Sequence, residues 1–269
     1  MHVTKMHAAG NDFCLVAYSP YEDYTKLAVK ICNRKLGIGA DGLIVVKEEP
    51  LEMIFYNNDG SRAPMSGNGI RCFAKYAHSK GLSRRGKLSV ITGSGLIDIE
   101  VTQDEPFMCK VSMGKPIFNN SMLAVNDELD CFGRVLRIKD HFITTYSVFL
   151  GSVHTIVFVK DFSDPVLELA KDISNYPLFT KQTNVNFVRV MDKETIRVKT
   201  YERGVNDFTD SCGSGACASV VVAQKLGYTK TNVKAELLLG KLKIEITKKG
   251  IVNLTGPAVK VFETEYEEE

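Results

Sequence analysis

The sequence predicts an α+β fold made of two halves of one design, each mostly strand with one principal helix entered through a glycine-rich turn. Three observations predict it. Stretches rich in β-branched and aromatic residues outnumber helical ones. A glycine-rich turn running into an apolar helical stretch occurs twice. The segments flanking those turns also repeat, in the same order.

Taken along the chain, strands are expected at Phe13 to Val16, Leu43 to Val46, Leu96 to Val101, Thr155 to Val159, Ile196 to Tyr201 and Leu242 to Ile246. Helices are expected at Tyr24 to Arg34, Gly69 to Lys80, Pro165 to Ile173 and Gly215 to Leu226. The third of these opens on the cap signal Ser163-Asp164-Pro165. The repeat sets SGNGIRCFAKYAHSKGL (66–82) over CGSGACASVVVAQKLGY (212–228), matching Gly67 with Gly213, Gly69 with Gly215, Ala77 with Ala223 and Gly81 with Gly227. At nearly the same separation GLIDIEVT (95–102) falls on GKLKIEIT (240–247), and Tyr56 on Tyr201. Gly10-Asn11-Asp12-Phe13 likewise resembles Gly151-Ser152-Val153-His154, each leading into an apolar run. Four matches in one order imply duplication, with the boundary near residues 114–120. Homologous halves are expected to pack about a pseudo-twofold axis, with their turns facing across a cleft.

Composition narrows the function. Lys and Arg number 34 against 32 Asp and Glu, without the basic excess of a nucleic-acid binder, so a small-molecule partner is expected. The N-terminus lacks an apolar signal core, and no apolar run approaches the roughly 20 residues that span a bilayer. A cytoplasmic protein without membrane contact is the expectation. The acidic ending Glu263, Glu265, Glu267, Glu268, Glu269 reads as a solvated tail. Seven cysteines form an odd number without small-scaffold spacing, which argues against a disulfide framework. Cys212 and Cys217 are the only close pair and the histidines are scattered, so no metal site is expected.

The paired turns carry the chemistry. Glycines flanking a short polar residue let successive N–H groups point outward where a helix begins, which makes an anion site suited to a carboxylate. Inverting an amino acid's α-carbon needs one acid/base group on each face. Cys212 sits at a helix start, where a thiol with an ordinary pKa of about 8.5 is expected to be lowered towards neutrality. Ser66 holds the equivalent place in the first half. Cys217 and Cys72 read as core residues.

The motifs KMHAAGNDF (5–13), LGIGADGL (36–43), YNNDGS (56–61), MSGNGIRCFAKY (65–76), TNVNFV (183–188), YERG (201–204), SCGSGACA (211–218) and LTGPAVKVF (254–262) span nearly the whole chain. In that order they resemble the diaminopimelate epimerase family. The resemblance implies two similar domains, residues 1–115 with 259–269 and residues 116–258. Each would be a curved, mostly antiparallel, barrel-like sheet around a central helix, with the active site in the cleft between them. It implies no pyridoxal phosphate, no other cofactor and no metal, and a homodimer is in keeping with it. Cys212 matches one of the two cysteines that exchange protons with the substrate's α-carbon. Gly67, Asn68, Gly213 and Ser214 match the turns that hold the reacting carboxylate. Asn11, Asn57, Asn184, Glu202 and Arg203 match substrate-binding positions, and a Glu202-Arg203 pair would form a charge-complementary carboxylate site.

Three departures stand out. Ser66 occupies the place of the other catalytic cysteine, and a hydroxyl is a poor base for an α-proton. It reads either as a cysteine replaced to trap an inactive enzyme or as a homologue working asymmetrically. Ser152 lies where the family has asparagine, which shortens a group expected to touch the substrate's distal end. The connection 205–211 is one residue longer than usual. The leading reading is a cofactor-independent epimerase of LL- and meso-diaminopimelate, serving lysine and peptidoglycan biosynthesis. The alternatives are a racemase of another amino acid, such as histidine, and a non-catalytic amino-acid-binding protein.

Overall fold

The structure, a computed structural model, describes residues 1–125 and 130–267. The chain separates into two compact units, one of residues 1–112 with 255–269 and one of residues 113–254.

The first unit contains β1 (His2–Ala8), β2 (Asn11–Ala17), α1 (Tyr24–Ile31), β3 (Gly42–Lys47), β4 (Glu52–Asn57), β5 (Arg62–Ala63), α2 (Gly69–Ser79), β6 (Lys87–Thr92), β7 (Gly95–Gln103) and β8 (Met108–Ser112). The second contains α3 (Asn120–Leu123), β9 (Phe132–Ile138), β10 (His141–Phe149), β11 (Val153–Phe158), a 3-10 turn (Pro165–Leu169), α4 (Ala170–Ser174), β12 (Asn184–Asp192), β13 (Thr195–Glu202), β14 (Asp207–Thr209), α5 (Gly213–Lys225), β15 (Asn232–Leu237) and β16 (Gly240–Ile246). The chain then runs through β17 (Val252–Pro257) into β18 (Val259–Glu265).

Strand pairing repeats between the units. In the first, β1 pairs antiparallel with both β18 and β2, β2 runs parallel to β3, β3 antiparallel to β4, β4 parallel to β6 and β6 antiparallel to β7. The second reproduces each step: β9, β10 and β11 antiparallel, β11 parallel to β12, β12 antiparallel to β13, β13 parallel to β15 and β15 antiparallel to β16. The α+β class holds, with sheet predominating. The turns opening β2 and β11 match as well, since Gly10 and Gly151 both take positive φ, 89° and 75°.

In each unit the strands pack around one helix. Helix α2 lies against β1, β2, β3, β8 and β18, and α5 against β10, β11, β12, β13, β15 and β16. From Ala216 to Ala223 every residue of α5 is buried, as expected of a helix without a solvent face. Strand β3, GLIVVK, is likewise buried at five successive positions, the pattern of a strand covered on both faces.

Several boundaries differ from expectation for local reasons. Helix α1 stops at Ile31 rather than Arg34, because the Asn33 side chain accepts from the N–H groups of Lys35 and Leu36 and turns the chain. The Pro165 to Ile173 segment begins as a 3-10 turn, with Asp164 accepting from the N–H of Val166, and becomes α-helical at Ala170. An α-helix sets residues two apart about 160° around the axis, a 3-10 turn about 120°. The tighter winding therefore brings Leu167 and Leu169 towards one buried face. Helix α5 starts two residues before the expected Gly215. Nor is the acidic ending wholly a loose tail: Glu263 and Glu265 belong to β18, where Glu265 accepts from the His2 ring at 3.0 Å and Glu263 pairs with Lys260 at 3.4 Å. Glu268 and Glu269 lie outside the described residues.

All seven cysteines are buried and none forms a disulfide. Among the described residues no helix is long and apolar enough to cross a membrane. The core of the second unit gathers around Val185, Phe187, Ile173 and Tyr201, and Phe187 meets Phe208 with ring centroids 6.0 Å apart. Phe187→Ala is expected to lower stability by about 3–5 kcal/mol, read from the urea unfolding midpoint. A loss below about 1 kcal/mol would show that the core collapses around the gap.

Candidate active site

Each buried helix begins with the same backbone device. In the first unit the N–H of Gly69 donates to Ser66 Oγ at 3.1 Å, and the N–H of Ile70 to the Ser66 carbonyl at 2.8 Å. In the second the N–H of Gly215 donates to Cys212 Sγ at 3.4 Å, and the N–H of Ala216 to the Cys212 carbonyl at 3.0 Å. Both side chains thus sit at the positive end of a helix, accepting from the residue three positions on.

Space is tight at the second glycine of each turn, and at Gly215 it excludes a Cβ unless Asn186 moves. A Cβ on Gly69 would stand 3.1 Å from both Ser66 Cβ and Ile44 Cδ1. One on Gly215 would stand 2.3 Å from Asn186 Oδ1 and 3.1 Å from Cys212 Sγ. Neither glycine takes a positive φ, so the expectation of backbone freedom gives way, at these two, to close approach of the preceding side chain.

Cys212 is 7% exposed. Burial, and then the charge of the Glu202 carboxylate, push its thiol well above the ordinary cysteine range, against bonds from Ser214 and the Gly215 N–H that favour the thiolate. The expected lowering at the helix end is therefore reversed, because desolvation and a neighbouring anion outweigh one N–H and the helix dipole. Glu202 reaches the thiol with a side-chain hydrogen bond and also accepts from Thr209 Oγ1 at 2.5 Å.

The Glu202 and Arg203 side chains take separate partners. Glu202 turns to Thr209 and Cys212, whereas Arg203 Nη1 donates to the carbonyls of Lys181 and Gln182 at 3.0 and 3.3 Å. Glu202 is the last residue of β13 and Arg203 the first of the turn that follows, so the two heads leave the chain from different local conformations.

Asn184 is committed to the protein. Its Nδ2 donates to Ser152 Oγ at 3.1 Å and to the Val153 carbonyl at 3.0 Å, and its Oδ1 accepts from the N–H of Arg203 at 3.1 Å. Behind it lies His154, entirely buried, with Asn186 Nδ2 3.2 Å from Nδ1 and Ser152 Oγ 2.9 Å from Nε2. Asn186 Oδ1 accepts from Thr200 Oγ1 at 2.9 Å, which turns its NH2 towards the ring. His154 therefore carries its proton on Nε2 and donates to Ser152. With two donors directed at its oxygen, half-buried Ser152 keeps its own hydroxyl proton to donate. Burial, and secondarily the charge of Arg203, push His154 down to about 3.

In the first unit Asn68 Nδ2 donates to Asn11 Oδ1 at 3.1 Å, and Asn11 Nδ2 to Asp41 Oδ2 at 2.6 Å. Asn57 Nδ2 donates to Ser61 Oγ at 2.9 Å. Gly67 lies half-buried in its turn, and buried Gly213 and half-buried Ser214 open α5. Cys72 and Cys217 are fully buried, and burial pushes Cys72 up to about 12.

Sequence reasoning assigned no role to Asn186, Thr200, Thr209, Arg71 or His154. A signal existed for one of them: Asn184 and Asn186 place two amides on the same face of the otherwise apolar stretch NVNFV.

The diaminopimelate epimerase family model matches residues 3–119 and 146–261. The diaminopimelate epimerase of Caldanaerobacter subterraneus is 42% identical across 99% of this chain and 100% of its own. That of Alkaliphilus metalliredigens is 38% identical across 97% and 96%. Among solved structures, a phenazine biosynthesis protein of the PhzF family from Bacillus anthracis superposes with a TM-score of 0.72 at 15% identity, covering 100% of this chain and 99% of that one. A probable proline racemase from Agrobacterium radiobacter gives 0.70 at 13%, covering 100% and 93%. These two share the fold.

Two outcomes follow from the geometry around Cys212. Gly215→Ala is expected to destabilise by about 1–3 kcal/mol despite alanine's better helix propensity; a raised unfolding midpoint would contradict it. The unfolded chain protonates His154 near its ordinary 6.5, whereas the folded chain does so only near 3. The stability this neutral ring contributes is complete above about pH 6.5 and is lost as pH falls, by up to about 1.4 kcal/mol per pH unit. His154→Gln should flatten that slope in urea titrations between about pH 4.5 and 7. Parallel slopes for the two proteins would refute the assignment.

Proposed function

Because the chain belongs to the diaminopimelate epimerase family, we propose that Cys212 and the residue at position 66 handle the α-proton of diaminopimelate on its two faces, without an organic cofactor. The observation that carries the reading is the repeated turn, which presents one short side chain and a helix start in each unit. The N–H groups of Gly67 and Asn68, and of Gly213 and Ser214, bind the α-carboxylate and stabilise the charge that spreads onto it as the proton leaves. Asn11, Asn57, Ser152, Asn184 and Arg203 surround the rest of the substrate.

Cys212 rests as a thiol, since burial and Glu202 hold its proton on. In that form it is the acid that returns a proton to the carbanion. To act as base it passes the proton to Glu202, whose side chain already meets the thiol. The α-ammonium of the substrate supplies positive charge beside the resulting anion, so base formation is coupled to binding.

Ser66 lacks that chemistry, because a hydroxyl gives up its proton far less readily than a thiol. The face it serves is therefore slow, and this chain epimerises poorly while exchanging the α-proton through Cys212. The full-length relatives disfavour a histidine racemase or a non-catalytic binding protein. Seven buried thiols without a disulfide support a reducing, cytoplasmic setting. Exposed Val259, Val261 and Phe262 on β18 support association with a second copy.

Ser66→Cys is expected to raise the rate of LL- to meso-diaminopimelate interconversion by roughly 10²- to 10⁴-fold, the usual worth of a positioned acid/base group. Chiral chromatography and deuterium uptake at Cα in D2O measure it. In the parent protein deuterium should enter one stereoisomer faster than the other forms. An unchanged rate after Ser66→Cys, or equal rates with histidine, would overturn the reading.

A further inference from the structure

Among the described residues Arg71 is the largest fully buried side chain, at the third position of α2 and close behind the turn that carries Ser66. Its guanidinium spreads three donors over three acceptors. Nη1 donates to the Gly67 carbonyl at 2.8 Å, Nη2 to Asn68 Oδ1 at 2.9 Å and Nε to the Pro257 carbonyl at 3.2 Å. Burying so strongly hydrated a group is costly unless its bonds are made, and a guanidinium is suited to bridge several acceptors in one plane.

Two consequences reach the turn. In a trans peptide the C=O and the next N–H point in opposite directions. Tying the Gly67 carbonyl inwards, against the Arg71 head, therefore turns the N–H of Asn68 outwards. Arg71's own backbone N–H goes to the Asn68 carbonyl at 3.2 Å, so the side chain supplies what the first helical turn does not give Gly67.

The second consequence is direction. A guanidinium can only donate, so Asn68 must present Oδ1 to it and Nδ2 to the other side. Nδ2 meets Asn11 Oδ1 at 3.1 Å, which leaves the Asn11 NH2 to face Asp41, at 2.6 Å. Asp41 can only accept, and is held in turn by Arg34 at 2.7 Å. A donor at one end and an acceptor at the other make the chain run one way. Neither amide can flip without losing these bonds, and half-buried Asn11 has a second N–H left to donate.

We propose that Arg71 is a positioning residue, whose buried guanidinium presets the Asn68 N–H as a donor for an incoming carboxylate and the Asn11 amide as a donor for the rest of the same ligand. The role rests on the reading of the Ser66 turn as a carboxylate site. It extends that reading to a residue that touches no ligand.

The test is calorimetric binding of meso-diaminopimelate to the full chain as it stands, and to Arg71→Lys, Arg71→Gln and Asn68→Ala. Each variant's urea unfolding midpoint is recorded beside its affinity. Lysine restores the charge but cannot span both Gly67 and Asn68. Arg71→Lys is expected to weaken binding roughly 10-fold and Arg71→Gln roughly 100-fold, the range of charge-assisted bonds. Affinity should fall in proteins that remain cooperatively folded. Asn68→Ala, which leaves the guanidinium under the Gly67 carbonyl, is expected to cost several-fold by releasing Asn11. It keeps the test open if the Arg71 variants do not fold. Unchanged affinity in Arg71→Lys and Asn68→Ala, with the parent chain binding normally, would overturn the positioning role alone. A parent chain that binds no diaminopimelate would overturn the carboxylate reading and this inference with it.

Discussion

A backbone N–H at the start of a buried helix, aimed at the side chain three residues before it, is the contact on which the rest of the structure depends. It exists twice, from Gly69 to Ser66 and from Gly215 to Cys212. A Cβ on the donating residue would crowd that side chain, at 3.1 Å in both turns. For the helix end to keep its full electrostatic strength, the helix must be kept from water. The curved sheets do that. They surround α2 and α5 with strands that pair in the same sequence of parallel and antiparallel steps.

The two copies of this device differ in what stands behind them. Around the Ser66 turn the first unit sets charges: Arg71, then Asp41, Arg34, Asp12 and Lys5, with Asp12 held down to about 2 by the neighbouring Arg34 and Lys5 despite its burial. Around Cys212 the second unit sets neutral groups: Ser152, His154, Asn184, Asn186 and Thr200, with Glu202 as the anion at the thiol. One backbone plan thus carries two electrostatic surroundings. The first favours an incoming anion, and the second keeps a proton on sulfur until something takes it.

The comparison with relatives separates levels of likeness in the same way. Identity near 40% over the full length carries the family, whereas the PhzF-family protein and the probable proline racemase share the architecture at 15% and 13%. A duplicated sheet around a helix tolerates nearly any sequence that preserves its apolar pattern.

By itself the sequence determined the class of fold, the duplication and the two turns, because apolar alternation and a glycine at fixed spacing act over a few neighbouring residues. It placed Ser66 and Cys212 at equivalent positions for that reason. Only the tertiary structure decided their chemistry. Whether the Cys212 thiol is acidic depends on its burial and on Glu202 ten residues away, and burial reversed the expectation drawn from the helix end alone. Glu202 and Arg203, neighbours in sequence, part where β13 ends and the chain turns, each to its own partners. Arg71, His154 and Asn186 owe their roles to partners brought from other elements, such as Pro257 and Thr200. Local backbone preference is written in adjacent residues. The solvation and partners of a buried polar group are set by every element that packs around it.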